Sequence, residues 1–233
     1  MLCPGAGAVL GRPALVLQGP GGRRALVVAD LHIGWESTLA DKGFHIPAQV
    51  GKMYKALEEI LRALEPDVLV FLGDVKHTVA GAEAEEWAQI PAFLEALSGL
   101  TDRIVVVPGN HDGRLDILLP DGVELSSPGG LKLWGFGLFH GHAWPDPSIL
   151  TCETLITGHM HPVVSFREGP FFRTTVRVWL VAPCDGPCLA DELAKRGRER
   201  PEEPSAKRLI VMPSFNEFLG GRAINTVSYT HLT

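Results

Sequence analysis

The chain has 233 residues, 45% hydrophobic and 21% charged, with a formal net charge of −6. That length suits one large domain or two small ones with a sizeable core, the composition excludes global disorder, and the acidic balance argues against a protein that coats nucleic acid electrostatically. No apolar run reaches the roughly 20 residues that span a bilayer, the N-terminus is broken by Gly and Pro and makes a poor signal peptide, and four irregularly spaced Cys form no disulfide framework, so the expectation is a cytoplasmic protein away from membranes.

In chain order, the first segment to stand out is G-P-G-G-R-R at 19–24, a hairpin turn rather than a phosphate loop, because a strand and not a helix follows. Three short apolar runs come next, at 25–29, 68–72 and 104–107. They are β-rich and do not alternate, which suits strands buried on both faces. Between them, apolar residues recur at helical spacing from Pro47 to Leu64, with Pro47 in the first-turn position that proline favours. The same spacing returns from Ala84 to Leu97 on Trp87, Ile90, Leu94 and Leu97, with Gly99 as the stop. Strand and helix in alternation predict right-handed βαβ crossovers and a parallel sheet.

From residue 123 on, short strand candidates dominate: 123–125, 131–134, 136–139, 154–157, 163–166 and 176–181. An α/β half followed by a mostly β half predicts an α/β fold in which two sheets form a sandwich flanked by helices. Residues 185–208, rich in Pro, Gly and charge, are expected to be a surface insertion with one helical turn near 190–195. Residues 1–226 are expected to form a single domain. Residues 227–233 (VSYTHLT) match one reading frame of a widely used transposon-end sequencing adaptor, so they are set apart and the native chain is expected to continue past Thr226.

The chemistry gathers just after the apolar runs. Asp30 and His32 follow the first, Asp74 the second, and Asn110, His111 and Asp112 the third; His140 and His142 follow 136–139, and His159 and His161 follow 154–157. Loops at the carboxyl ends of parallel strands converge on one edge, where ligands bind. Five loops thus bring carboxylates, an amide oxygen and imidazoles together. Such mixed ligands suit Mn²⁺, Fe or Zn²⁺. Seven ligands exceed the needs of one ion and suit two divalent ions that share a carboxylate, an arrangement for in-line phosphoryl displacement. Carboxylates gathered round metal ions also inflate the acidic count.

The series D-x-H, G-D, G-N-H-D, H-G-H and G-H-x-H resembles the calcineurin-like metallophosphoesterase superfamily. Together with D-L-H-I-G-W-E, G-F-H-I-P, G-D-V-K-H and P-S-F-N-E-F-L-G-G-R-A-I-N it is similar to the small SbcD-related, PdeM-type phosphoesterases associated with a DNA ligase and helicase. The resemblance implies a four-layer αββα fold and a phosphodiesterase or nuclease working by metal-activated hydroxide attack, manganese first among the metals. It implies that Asp30, His32 and His161 hold one metal, that Asp74 bridges, and that Asn110, His140 and His159 hold the other. His111 would stabilise charge or protonate the leaving oxygen, with Asp112 orienting it. It further implies a phosphate-ester substrate such as DNA, a ligase or helicase partner and a DNA-repair setting.

His142, His77 and Arg222 are candidates for touching substrate; the alternative for His142 is a place behind the metal ligands, and for His77 a surface-loop role. His45 reads as structural. Cys184 and Cys188 form C-x-x-x-C, but the second pair that a metal site would need is absent, so metal binding is not expected there. Gly220–Gly221 reads as a turn. Lys76, Arg114 and Arg222 are the basic residues near the site, which predicts a short phosphate track. The competing readings are a small-molecule phosphatase or cyclic-nucleotide phosphodiesterase on the same site, and a non-catalytic scaffold that kept the fold.

Overall fold

The strands of the first sheet are β1 (Ala6–Ala8), β2 (Ala14–Gln18), β3 (Arg24–Val28), β4 (Val68–Leu72), β5 (Arg103–Val107) and β6 (Val123–Leu125), hydrogen-bonded in that order. The computed structural model describes residues 1–40, 42–168 and 172–226; the suspected adaptor segment 227–233 lies outside them. β1, β2 and β3 are antiparallel, and β3 to β6 run parallel. Helices α1 (Trp35–Ala40) and α2 (Val50–Leu64) join β3 to β4, and α3 (Ala84–Ser98) joins β4 to β5. The crossovers follow the expected alternation.

The remaining strands are β7 (Leu131–Leu133), β8 (Phe136–Leu138), β9 (Thr154–Thr157), β10 (Pro162–Glu168), β11 (Phe172–Arg177), β12 (Leu180–Pro183), β13 (Arg208–Val211) and β14 (Arg222–Ala223), with α4 (Gly186–Lys195) between β12 and β13. A five-stranded sheet has the order β12-β13-β9-β8-β7, and a three-stranded one the order β11-β10-β14.

Burial on both faces explains why β3, β4 and β5 do not alternate. On β3, Leu26 and Val28 pack with Leu57, Leu61, Ile90 and Leu94 of the helices. Ala25 and Val27 point the other way and pack with Leu138, Ile156, Ile210 and Met212 of the five-stranded sheet. The core is thus two apolar layers around one sheet, and the whole is a sandwich with helices outside.

Several expectations change. α2 begins at Val50, not at Pro47, because the Gln49 carbonyl is the first to accept helical N–H groups, from Lys52 and Met53. Trp87 is half exposed; α3 instead turns Glu86, Ile90, Phe93, Leu94 and Leu97 inward. The run 176–181 is not one strand. It ends β11 and then crosses to another sheet as β12. Residues 123–125 join the first sheet as β6. β1, β2, β13 and β14 are not among the strands expected from sequence, although β2 and β13 are apolar runs like those at 25–29 and 104–107.

Residues 185–208 are also more than a surface insertion. α4 is ten residues long, and the Asp185 carboxylate caps it by accepting the Cys188 N–H at 2.9 Å. Its Ala190 and Leu193 are fully buried with Ile149, Leu150, Leu155 and Ala206. Leu193→Ala is therefore expected to destabilise the fold by about 2–4 kcal/mol, the range for emptying a packed leucine site. A urea titration checks this; a change below about 0.5 kcal/mol would be the surface value.

Candidate metal centre

Each of five strands delivers a candidate ligand on the same edge. Asp30 and Asp74 stand two residues past the ends of β3 and β4, Asn110 three past β5, and His140 and His159 two past β8 and β9. To turn back over the edge, the chain takes a left-handed conformation at three of these positions and at two residues just beyond them: φ is 59° at Asp30, 53° at Asp74 and 65° at His159, and 46° at His32 and 42° at His161. Non-glycine residues there cost of order 1–3 kcal/mol each and cluster where function over-determines the backbone. Gly73 precedes Asp74 with φ 83°, and a Cβ on it would overlap the His140 ring.

Two groups of three ligands result, each with its candidate atoms within 4.8 Å of one another: Asp30, His32 and His161, and Asp74, His140 and His159. Asp74 links them. Its Oδ2 lies 3.4 Å from His32 Nε2 in one group and 3.2 Å from His140 Nε2 in the other. Its Oδ1 accepts the His111 N–H at 2.8 Å. Asp30 Oδ1 lies 3.2 Å from His161 Nε2, and the His159 N–H is shared by both Asp30 oxygens at 3.2 and 3.1 Å.

The imidazoles are aimed from behind. His140 Nδ1 donates to the Leu72 carbonyl at 2.9 Å and His161 Nδ1 to the Gly220 carbonyl at 3.2 Å, so each turns Nε2 toward a carboxylate. His32 and His77 share a hydrogen bond between their Nδ1 atoms at 3.2 Å, with His32 Nε2 turned the same way. Such backing fixes the ring and its tautomer for a metal ligand. Among the described residues, four buried side-chain polar atoms have no hydrogen-bond partner: His32 Nε2, Asn110 Oδ1, His140 Nε2 and His161 Nε2. Leaving such atoms unpaired costs about 1–3 kcal/mol each. Divalent cations would use all four, and the Asp, His and Asn donors suit them. The residues present fit the metals.

Electrostatics agrees with crowding of charge. Burial drives the His32 imidazole down to about 3. At His140 burial also opposes the charge, but the Asp74 carboxylate 3.2 Å from Nε2, the charge of Asp30 and the Leu72 carbonyl outweigh it and carry the ring up to about 9. Asp74, despite its burial, is held well below the usual carboxylate range by His140, His32 and the His111 N–H. Burial lowers His77, His142 and His159.

His32, His77 and His111 form a third gathering. It contains no carboxylate, and its rings are engaged with one another: His111 Nδ1 donates to the His77 carbonyl, and His111 stacks on His77 at 5.3 Å. Here an expectation is corrected. Asp112 does not orient the His111 ring. Its carboxylate is taken up by the N–H groups of Val75 (2.9 Å), Lys76 (3.2 Å) and Gly109 (2.8 Å), and it braces the loops after β4 and β5. Burial, against the pull of those donors, pushes its carboxyl up to about 6. The orienting group is the His77 carbonyl, which no side-chain motif announces.

His142 is exposed, its ring 5.3 Å from that of His140 and 6.3 Å from that of His159. Arg222 is exposed and joins the site by its N–H, which donates to the His161 carbonyl at 3.1 Å. Lys76 is wholly buried, so it leaves the list of basic residues that face solvent. Asn216, also buried, was not singled out from sequence. Its Nδ2 donates to the Leu31 carbonyl at 2.9 Å and pins the turn between Asp30 and His32. Cys184 and Cys188 are free thiols.

Among solved structures, the Pseudomonas putida nuclease MPE matches over 96% of this chain and 94% of its own, at 19% identity and a TM-score of 0.56. Yfce, a phosphoesterase from E. coli, matches over 62% of this chain and 74% of its own, at 21% identity and a TM-score of 0.38. The first likeness is one of fold. No curated protein matches the chain. The family model for calcineurin-like phosphoesterases matches residues 23–180. That span carries every candidate ligand from Asp30 to His161, and the chain belongs to the calcineurin-like phosphoesterase family.

Proposed function

We propose that this phosphoester hydrolase is a dinuclear, manganese-dependent phosphodiesterase acting on nucleic acid in the cytoplasm. One observation carries the dinuclear reading: a single carboxylate oxygen, Asp74 Oδ2, faces an imidazole of each ligand group. Asp30, His32 and His161 would hold one ion, and Asn110, His140 and His159 the other. Bound there, the ions would activate water and neutralise phosphoryl oxygens. The chain's own residues do the rest. His111, its Nδ1 anchored on the His77 carbonyl, presents Nε2 to the substrate, where a proton passes to the leaving oxygen. His77 and His142 flank the phosphate, and Arg222 stands on the rim beside His161.

The diester and nucleic-acid part is supported by the end-to-end fold likeness to a nuclease. The surface sets its terms. With Lys76 buried, Arg114 and Arg222 are the exposed basic residues next to the ligand loops. DNA binding in Ca²⁺ should therefore show a shallow salt dependence, about two phosphate contacts, with log K falling by about 0.7 per contact per decade of salt on a single strand. Weak grip in isolation also fits a ligase or helicase partner and a role in DNA repair. A steep slope would reveal a longer basic track. The same scarcity of exposed cations favours a second reading, a cyclic-nucleotide or small-molecule phosphoesterase. No DNA binding at any salt, together with fast cyclic-nucleotide hydrolysis, would select it.

A further inference from the structure

Four carboxylate side chains are buried among the described residues: Asp30, Asp74, Glu86 and Asp112. Three are accounted for above. Glu86, on α3, is fully buried and belongs to neither ligand group. Its oxygens serve different partners. Oε2 accepts the Glu83 N–H at 2.9 Å and completes a capping box at the start of α3. Oε1 reaches beyond the helix and accepts the N–H groups of His77 at 2.9 Å and Thr78 at 2.7 Å.

A capping box alone does not call for this burial, since a Glu in that place reaches the cap N–H from the surface. A buried carboxylate is unfavourable unless its lone pairs are filled, and here the loop donors fill them. The neighbouring chain makes room. Gly34, with φ +93°, carries no side chain, and a Cβ there would stand 2.8 Å from Glu86 Cγ.

The segment held by Oε1 is the one that aims two imidazoles. The His77 carbonyl accepts from His111 Nδ1, and the His77 ring backs His32 Nδ1 at 3.2 Å. We propose that Glu86 is a positioning residue for phosphoester cleavage: by holding the His77 and Thr78 N–H groups it sets the loop from which His77 orients the His111 and His32 rings. The proposal rests on the reading of His111 as proton donor and His32 as ligand. Glu86 itself touches neither substrate nor ion.

The test compares Glu86→Ala, Glu86→Gln and Glu83→Ala in the full chain. Glu83→Ala removes the side-chain half of the cap and leaves the loop contacts of Glu86 in place. It is expected to lower Tm and to change the rates of diesters with good and poor leaving groups by the same factor. Glu86→Ala is expected to slow a dinucleotide on the order of tenfold more than bis(p-nitrophenyl) phosphate, because the poorer leaving group needs His111 more. It is also expected to weaken Mn²⁺ binding, followed by EPR without substrate, by about threefold to tenfold, at the low end for groups that support metal ligands. Glu86→Gln keeps a carbonyl for the two loop donors and is expected to restore the leaving-group profile while keeping part of the Tm loss.

If Glu86→Ala does not fold, Glu86→Asp replaces it. It keeps the charge but, one methylene shorter, does not span both ends, so the same selective loss is expected. Equal losses on both diesters with unchanged Mn²⁺ binding would overturn the proposal and leave Glu86 a helix cap. His111→Ala, run alongside, separates the two readings. If it shows no leaving-group dependence, the proton-donor assignment fails, and Mn²⁺ affinity alone then decides Glu86, unchanged affinity overturning its role.

Discussion

Asp74→Asn is expected to abolish measurable turnover and to weaken binding of both metal ions. The wild-type carboxylate faces His32 Nε2 at 3.4 Å and His140 Nε2 at 3.2 Å with one oxygen, and takes the His111 N–H at 2.8 Å with the other. Asparagine keeps one oxygen and brings an NH₂ group in place of the second. If the amide oxygen faces the ligand groups, the NH₂ meets the His111 N–H, donor against donor. If it faces His111, the NH₂ points at the cations. Either way the negative charge that would lie between two cations is gone. Metal stoichiometry by mass spectrometry, with turnover of a diester, checks this. Two ions bound with normal activity would end the bridging assignment.

His111→Ala is expected to leave metal content nearly intact and to lower kcat by about 10²–10⁴-fold on diesters with poor leaving groups, the usual contribution of a positioned acid. The reason is geometric. His111 is absent from both carboxylate-bearing ligand groups, and its Nδ1 is spent on the His77 carbonyl. On the proposed mechanism, the substitution removes the group that presents Nε2 to the leaving oxygen. A nitrophenolate leaves without much help, so the loss should be smaller there. Equal losses on both substrates would argue for charge stabilisation without proton transfer.

The gathering of candidate ligands was legible in the sequence because they follow short apolar runs, and parallel strands must end on a common edge; their division between two ions was implied by the family motif. Asp30, Asp74 and Asn110 needed only the runs at 25–29, 68–72 and 104–107 to be placed together. His140 and His159 were equally readable from their own strands. The family resemblance implied that Asp112, next to His111 in the chain, orients its ring. Adjacency was misleading: Asp112 turns to the N–H groups of Val75, Lys76 and Gly109, a loop from another strand. Lys76 looked like a phosphate contact for a similar reason, and packing buried it.

Trp87 and Glu86 show the limit most clearly. Hydropathy placed the tryptophan on the core face of α3. The fold turns the carboxylate inward instead, since the His77 and Thr78 N–H groups and the space over Gly34 lie there to receive it. α4 was read as surface because Pro, Gly and charge surround it, yet Ala190 and Leu193 close a third apolar cluster. The sequence by itself determined the strand–helix alternation, the edge on which the candidate site lies and the residue types gathered there, because these follow from local periodicity and from which residue ends each strand. Tertiary structure alone decided which nitrogen of each imidazole faces the site, which carboxylates brace loops and which cation is buried. Those outcomes depend on backbone donors and acceptors brought in from segments distant in the chain, as the Leu72 carbonyl is for His140, 68 residues away.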